Sequence, residues 1–110
     1  MALEIEALSK GTSILLRLRG DLDVEGARRF REEADAWLEG AGPSRLVVNL
    51  SEVTFMDSTG VGALLGRYRR LRSQGGTMVL VAPPPQVRPV LEMAGIPRLV
   101  PIVDEEVDAR

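Results

Sequence analysis

Leu46-Val47-Val48-Asn49-Leu50 is a short, nearly continuous apolar run rich in β-branched side chains. A strand with one solvated face alternates apolar and polar residues, whereas one covered on both faces does not. The run is therefore predicted as a strand in the middle of a sheet. Met78-Val79-Leu80-Val81-Ala82 repeats the signature, and Pro83-Pro84-Pro85 forbids its extension. Between the two runs, Val61, Leu64, Leu65, Tyr68 and Leu71 recur at three-four spacing. This spacing predicts a helix over roughly 59–73, stopped by Gly75-Gly76 and preceded by a loop over 51–57. Strands joined through a helix run parallel.

Toward the N-terminus the pattern changes. Leu3, Ile5 and Ala7 alternate with Glu4 and Glu6, and after Ser9-Lys10-Gly11-Thr12 a second alternation puts Ile14, Leu16 and Leu18 on one face with Arg17 and Arg19 opposite. That is an antiparallel hairpin with one half-buried face. Gly20-Asp21-Leu22-Asp23 breaks the period, and Asp23 is placed to cap a helix over 24–38 whose apolar positions are Val24, Ala27, Phe30, Ala34, Trp37 and Leu38. Gly40-Ala41-Gly42-Pro43 ends it. Downstream, Val87, Val90, Leu91 and Ala94 outline a short helix, and Leu99 to Val103 reads as a last strand, at an edge because Pro101 donates no ladder bond. The acidic tail Asp104-Glu105-Glu106-Val107-Asp108 is a solvated cap or a short frayed helix. The order β-β-α-β-α-β-α-β predicts an α/β fold with a mixed sheet and helices mainly on one side.

Composition narrows the chemistry. At 110 residues with 45% apolar content, the chain is read as one domain, 1–110, with material for one core. It holds no cysteine and no histidine, which removes thiol nucleophiles, imidazole acid-base chemistry and the usual zinc ligand sets. Lys+Arg of 14 against Asp+Glu of 16 is the wrong balance for a protein steered to nucleic acid by phosphate, and so few aromatics build no base-stacking platform. Apolar runs of about five residues cannot span a bilayer, which needs roughly 20, and Met1-Ala2-Leu3-Glu4 lacks the features of a signal peptide. A cytoplasmic protein with no nucleic-acid or membrane partner is expected. Asp21, Asp23 and Asp57 would at most gather a weakly held hard cation, so neither metal nor cofactor is expected.

One segment stands apart: Phe55-Met56-Asp57-Ser58-Thr59-Gly60-Val61-Gly62, a polar knot leading into the helix. Asp57 or Ser58 could simply cap the first turn. Gly60-x-Gly62-x-x-x-Gly66 superficially follows a dinucleotide fingerprint, but its third glycine falls one residue late and no acidic residue sits near 80 for a ribose. Alternatively, Ser58 displays a hydroxyl at a helix N-terminus, where a phosphate could be added. A serine without a histidine or lysine base is itself a poor nucleophile. Interior glycines each cost a helix about 0.5–1 kcal/mol relative to alanine. Gly62 and Gly66 fall on one stripe with Arg69 and Ser73, beside the apolar stripe, so this flank admits a close neighbour: a loop of the same chain or a partner surface.

The run Asn49-Leu50, Phe55 to Gly62 and Leu65-Gly66-Arg67-Tyr68 resembles the anti-sigma factor antagonists of the STAS family. Gly20-Asp21-Leu22-Asp23, Gly75-Gly76 and Met93-Ala94-Gly95 extend the resemblance over essentially the whole chain, with Asp21 where many relatives carry glutamate. The resemblance implies the STAS fold and a switching cycle. The unmodified protein would bind an anti-sigma factor that is also a serine kinase, releasing a sigma factor of a sporulation or stress programme. That kinase, carrying ATP and magnesium, would phosphorylate Ser58, with Thr59 as the alternative acceptor, and the complex would part. A PP2C-type serine phosphatase would reset the protein, which would be a substrate and not an enzyme, and a monomer when free. Asp21, Asp23, Asp57, Ser58, Thr59, Gly60, Val61 and Gly62 are the partner-binding residues on this view. A scaffold role in a larger signalling complex is the alternative, and a small-ligand or lipid-transport accessory domain is a more distant one.

Overall fold

In the computed structural model, which describes residues 1–40 and 42–109, the chain forms a five-stranded sheet in the order β1-β2-β3-β4-β5. The strands are β1 (Glu4–Lys10), β2 (Ser13–Leu22), β3 (Arg45–Met56), β4 (Thr77–Val81) and β5 (Ile102–Val103). β1 pairs antiparallel with β2, and every later pair is parallel. The continuous run 46–50 lies in the central strand, as its lack of alternation requires. Pro101 precedes the last edge strand and offers only its carbonyl, which accepts from the Leu80 N–H at 2.9 Å. Ala41, within the predicted helix stop, lies outside the described residues.

The helices α1 (Val24–Leu38), α2 (Ser58–Ser73) and α3 (Arg88–Met93) join the strands. Their apolar sides meet Leu16, Leu18, Leu46, Val48, Leu50 and Leu80 in one large core that also holds Phe30, Leu64, Leu71 and Leu91. The opposite sheet face carries a smaller cluster of Val47, Val79 and Val81, covered by Ala109. Ala109 ends a short 3-10 helix, Glu106–Ala109, into which the acidic tail folds. Glu106 fastens it: both carboxylate oxygens accept from Arg17 of β2, at 2.8 and 2.9 Å, and one also accepts from the Asn49 amide at 2.6 Å.

Three elements depart from the expectation. The segment 51–57 is not a loop, because β3 runs on to Met56, paired with β2 alone past Asn49. Gly20-Asp21 does not end β2 but marks a register shift inside it. Gly20 adopts φ +107, and a Cβ there would lie 2.6 Å from the Ala2 carbonyl oxygen. The strand predicted over 99–103 shrinks to two residues, preceded by a 3-10 turn at Ile96–Arg98. Val24 and Trp37, placed on the apolar stripe of α1, are both exposed, Val24 heavily so.

Arg17 hydrogen bonds are the largest cause that holds the Glu106 carboxyl down, to about 2 from an ordinary 4.5. A depressed carboxylate contributes stability that is fully present above its unfolded value and lost as pH falls through the folded one. The contribution of Glu106 should therefore be complete above about pH 4.5, fade below it and vanish near pH 2. A carbon-detected NMR titration of the Glu106 side chain checks this; a midpoint at 4.5 would show the tail undocked in solution.

Candidate functional site

The parallel strands β2 and β3 end side by side, with Asp21 opposite Phe55 and Leu22 opposite Met56. Each is followed at once by a helix, so α1 and α2 begin at the same edge of the sheet. Asp23 caps α1, its Oδ1 accepting from the Gly26 N–H at 2.9 Å. Asp57 caps α2, its Oδ1 accepting from the Thr59 N–H at 2.9 Å, from the Thr59 hydroxyl and, more weakly, from the Gly60 N–H at 3.4 Å. The Thr59 hydroxyl is the leading cause that lowers the Asp57 carboxyl below its ordinary range, with the Thr59 and Gly60 amides adding to it.

The two helix starts approach the strand ends as closely as backbones can. A Cβ on Gly26 would lie 2.1 Å from the Asp21 carbonyl oxygen, and one on Gly60 would lie 2.6 Å from that of Leu22. Glycine at these positions is a packing requirement. Gly62 and Gly66 are different, since a Cβ on either meets nothing within 4 Å among the described residues. Among the described residues, no loop of the same chain fills this flank. Gly62 is exposed, Gly66 is half-buried, and the helix sacrifices propensity at both without an internal gain.

Ser58, the first residue of α2, is exposed, and its side chain hydrogen-bonds to no described residue. Thr59 is also exposed, but its hydroxyl donates to Asp57 and not to the backbone as a β-branched residue in a first turn would usually do. The two adjacent hydroxyls thus differ in availability.

The remaining members of the predicted set play other parts. Asp21 is not a free loop carboxylate: its Oδ2 accepts from the Met1 amino group at 2.7 Å and its Oδ1 from the Thr54 hydroxyl at 2.7 Å. The amino group's hydrogen bond, then that of Thr54, pull the Asp21 carboxyl below its ordinary value. Val61 is buried in the core and cannot offer its side chain to a partner. No group of three or more acidic residues able to hold a metal ion occurs among the described residues. No described helix is long and apolar enough to cross a membrane.

Pattern reading missed two apolar residues at this edge, Val24 and Phe55, exposed at 67% and 49%. Val24 follows the α1 cap directly, and Phe55 lies in the tail of β3, where the sequence predicts a loop. Their only signal in the sequence is position, because a large apolar residue beside a helix cap looks the same whether it turns inward or outward.

Comparison with known proteins gives concordant results. The family model for the STAS domain matches residues 4–109. The anti-sigma F factor antagonist of Paenibacillus polymyxa is 34% identical over 109 residues, covering 99% of this chain and 93% of that protein. The structure of the anti-sigma factor antagonist SpoIIAA in its unphosphorylated form superposes with a TM-score of 0.78 at 31% identity, covering 97% of this chain and 92% of that one. The Bacillus cell fate determinant SpoIIAA in its phosphorylated form superposes at 0.76 with 28% identity, covering 97% and 96%.

Proposed function

The chain belongs to the STAS domain family, and on that premise we propose that it is an anti-sigma factor antagonist switched by phosphorylation of Ser58. The unmodified protein binds an anti-sigma factor that is also a serine kinase, and the sigma factor held by that kinase is released. Phosphorylation ends the complex, and a PP2C-type phosphatase restores the binding form. ATP and magnesium belong to the kinase, so this chain supplies an acceptor and a docking surface but no catalysis.

The observation that carries this reading is the contrast between Ser58 and Thr59. A phosphoryl acceptor must present its oxygen to an external base and to the γ-phosphate in line. Ser58 does so from the start of a rigid helix, whereas Thr59 has its hydroxyl tied to Asp57. At the same end of the sheet as Ser58, the exposed Val24, Phe55 and Gly62 supply apolar and backbone surface of the kind that a docked protein covers. That a relative of the same fold has been solved phosphorylated supports the same chemistry here. Asp21, Asp23 and Asp57 contribute by shaping this edge, each engaged in an internal bond.

Incubation with ATP, magnesium and the candidate anti-sigma kinase should add about 80 Da to the protein, the mass of one phosphoryl group. The Ser58→Ala variant should gain nothing. A shift that persists in Ser58→Ala and vanishes in Thr59→Val would move the acceptor by one residue. No shift with a kinase active on another substrate would overturn the switch.

A further inference from the structure

On the face of the sheet away from the helices, one cross-strand row is apolar throughout. The pairing aligns Val79 with Val47, Val47 with Leu15, and Leu15 with Leu8. The row begins beneath the C-terminal 3-10 helix, where Val47 is 7% exposed, and ends on β1, where Leu8 is 41% exposed. A groove between that helix and the β1 edge is floored by Leu8, Leu15 and Val47 and flanked by Val107. β1 is an edge strand that pairs, among the described residues, with β2 alone, and it carries no proline. Among the described residues no bulge interrupts its pairing with β2 and no element covers it, so its outward N–H and C=O groups form a template for another strand.

The side chains of β1 on this face specify which strand fits. Glu6, Leu8 and Lys10 read acidic, apolar, basic at alternate positions. Turned about a two-fold axis through Leu8, this sequence complements itself: Leu8 faces Leu8 of the second copy, Glu6 faces its Lys10, and Lys10 faces its Glu6. Glu6 is already held by Arg17 at 2.9 Å, and Lys10 forms no ion pair among the described residues, so each Lys10 would join a preformed Arg17–Glu6 pair. Moving the register by two residues either way loses the Leu8 contact and sets Leu8 against a charge. We propose that the protein self-associates through antiparallel β1 pairing centred on Leu8. The apolar row then continues through both sheets, and the edge is closed by an isologous contact.

This departs from the expectation of a free monomer and is independent of the switch at Ser58, which lies on α2 at the other face. The contact is narrow and belongs to the weak, transient class, so the measurement must extend to about 0.5 mM protein. Sedimentation equilibrium should show the 12.0 kDa species passing to twice that mass with concentration. Leu8→Glu, an exposed change that leaves the core intact, should raise the dissociation constant about tenfold or more, because symmetry introduces the like charge twice. The chain has no cysteine, so Leu8→Cys provides a second readout. Directly opposed β residues have Cβ atoms about 4.5–5.5 Å apart, and mild oxidation should link Leu8→Cys into a dimer far faster than Glu92→Cys on α3. A constant mass of 12.0 kDa with equal linking rates would overturn the proposal, as would a dimer that Leu8→Glu leaves intact.

Discussion

Replacing Gly62 by alanine should make the protein more stable and less functional, whereas the same change at Gly60 should cripple the fold. Gly62 is exposed inside α2 with nothing near the site of a Cβ, so alanine there should gain roughly the 0.5–1 kcal/mol that glycine costs a helix. If a partner backbone docks along this flank, the added methyl stands in its way, and affinity for the kinase should fall about tenfold or more, a loss near 1.4 kcal/mol. At Gly60 the methyl would lie 2.6 Å from the Leu22 carbonyl oxygen, a backbone atom that cannot swing aside. The start of α2 would have to lift from the end of β2, at about 2–3 kcal/mol, in the usual range for overpacking. Chemical denaturation and calorimetric binding on both variants separate the two effects. Gly62→Ala with unchanged affinity would remove this flank from the docking surface.

Such opposite outcomes at neighbouring glycines mark the limit of what the sequence discloses. The central strand, the parallel order, the span of α1 and the cap at Asp23 were all legible, because each follows from local period or from an oxygen placed before a helical run, while the cap of α2 was legible only as a choice between Asp57 and Ser58. The lengths of β2 and β3 were not. Gly20-Asp21 has the composition of a turn, but β3 takes one extra residue opposite it, which makes it an irregularity within a strand, and only the paired strand discloses this. Ser51 to Phe55 loses its alternation because β3 there carries an extra residue against β2 at each of the two register shifts. Glu106 lay in a run of carboxylates whose members look equivalent until folding brings Arg17 and Asn49 to one of them. At the candidate site the motif marked the segment, but not the division of labour within it. Gly60 and Val61 are used for packing, Asp57 and Thr59 bond each other, and Ser58 and Gly62 are left facing outward.

The same division predicts how a phosphate would act. A phosphoserine at position 58 should leave the fold in place and still weaken kinase binding about 100-fold, near 2.7 kcal/mol. A helix N-terminus ordinarily welcomes such a group through its free amides and dipole. Here the Thr59 and Gly60 amides already donate to Asp57, so the new charge of about −1.5 to −2 would find the helix dipole but few free donors, beside a carboxylate held in its ionised form. Attraction and repulsion largely offset each other within the domain, and the exposed Ser58 side chain lets the group project into solvent without disturbing the core. At a docked interface the balance differs, because burying that charge against an apolar and backbone surface leaves it unpaired, at a desolvation cost with no compensating bond. Amide chemical shifts of the phosphorylated protein should therefore change around residues 55–62 and stay fixed in β1, β4 and α3, while its affinity for the kinase collapses. Shifts spread across the sheet would instead assign the switch to a reshaped fold, and an unchanged affinity would mean that Ser58 lies outside the contact.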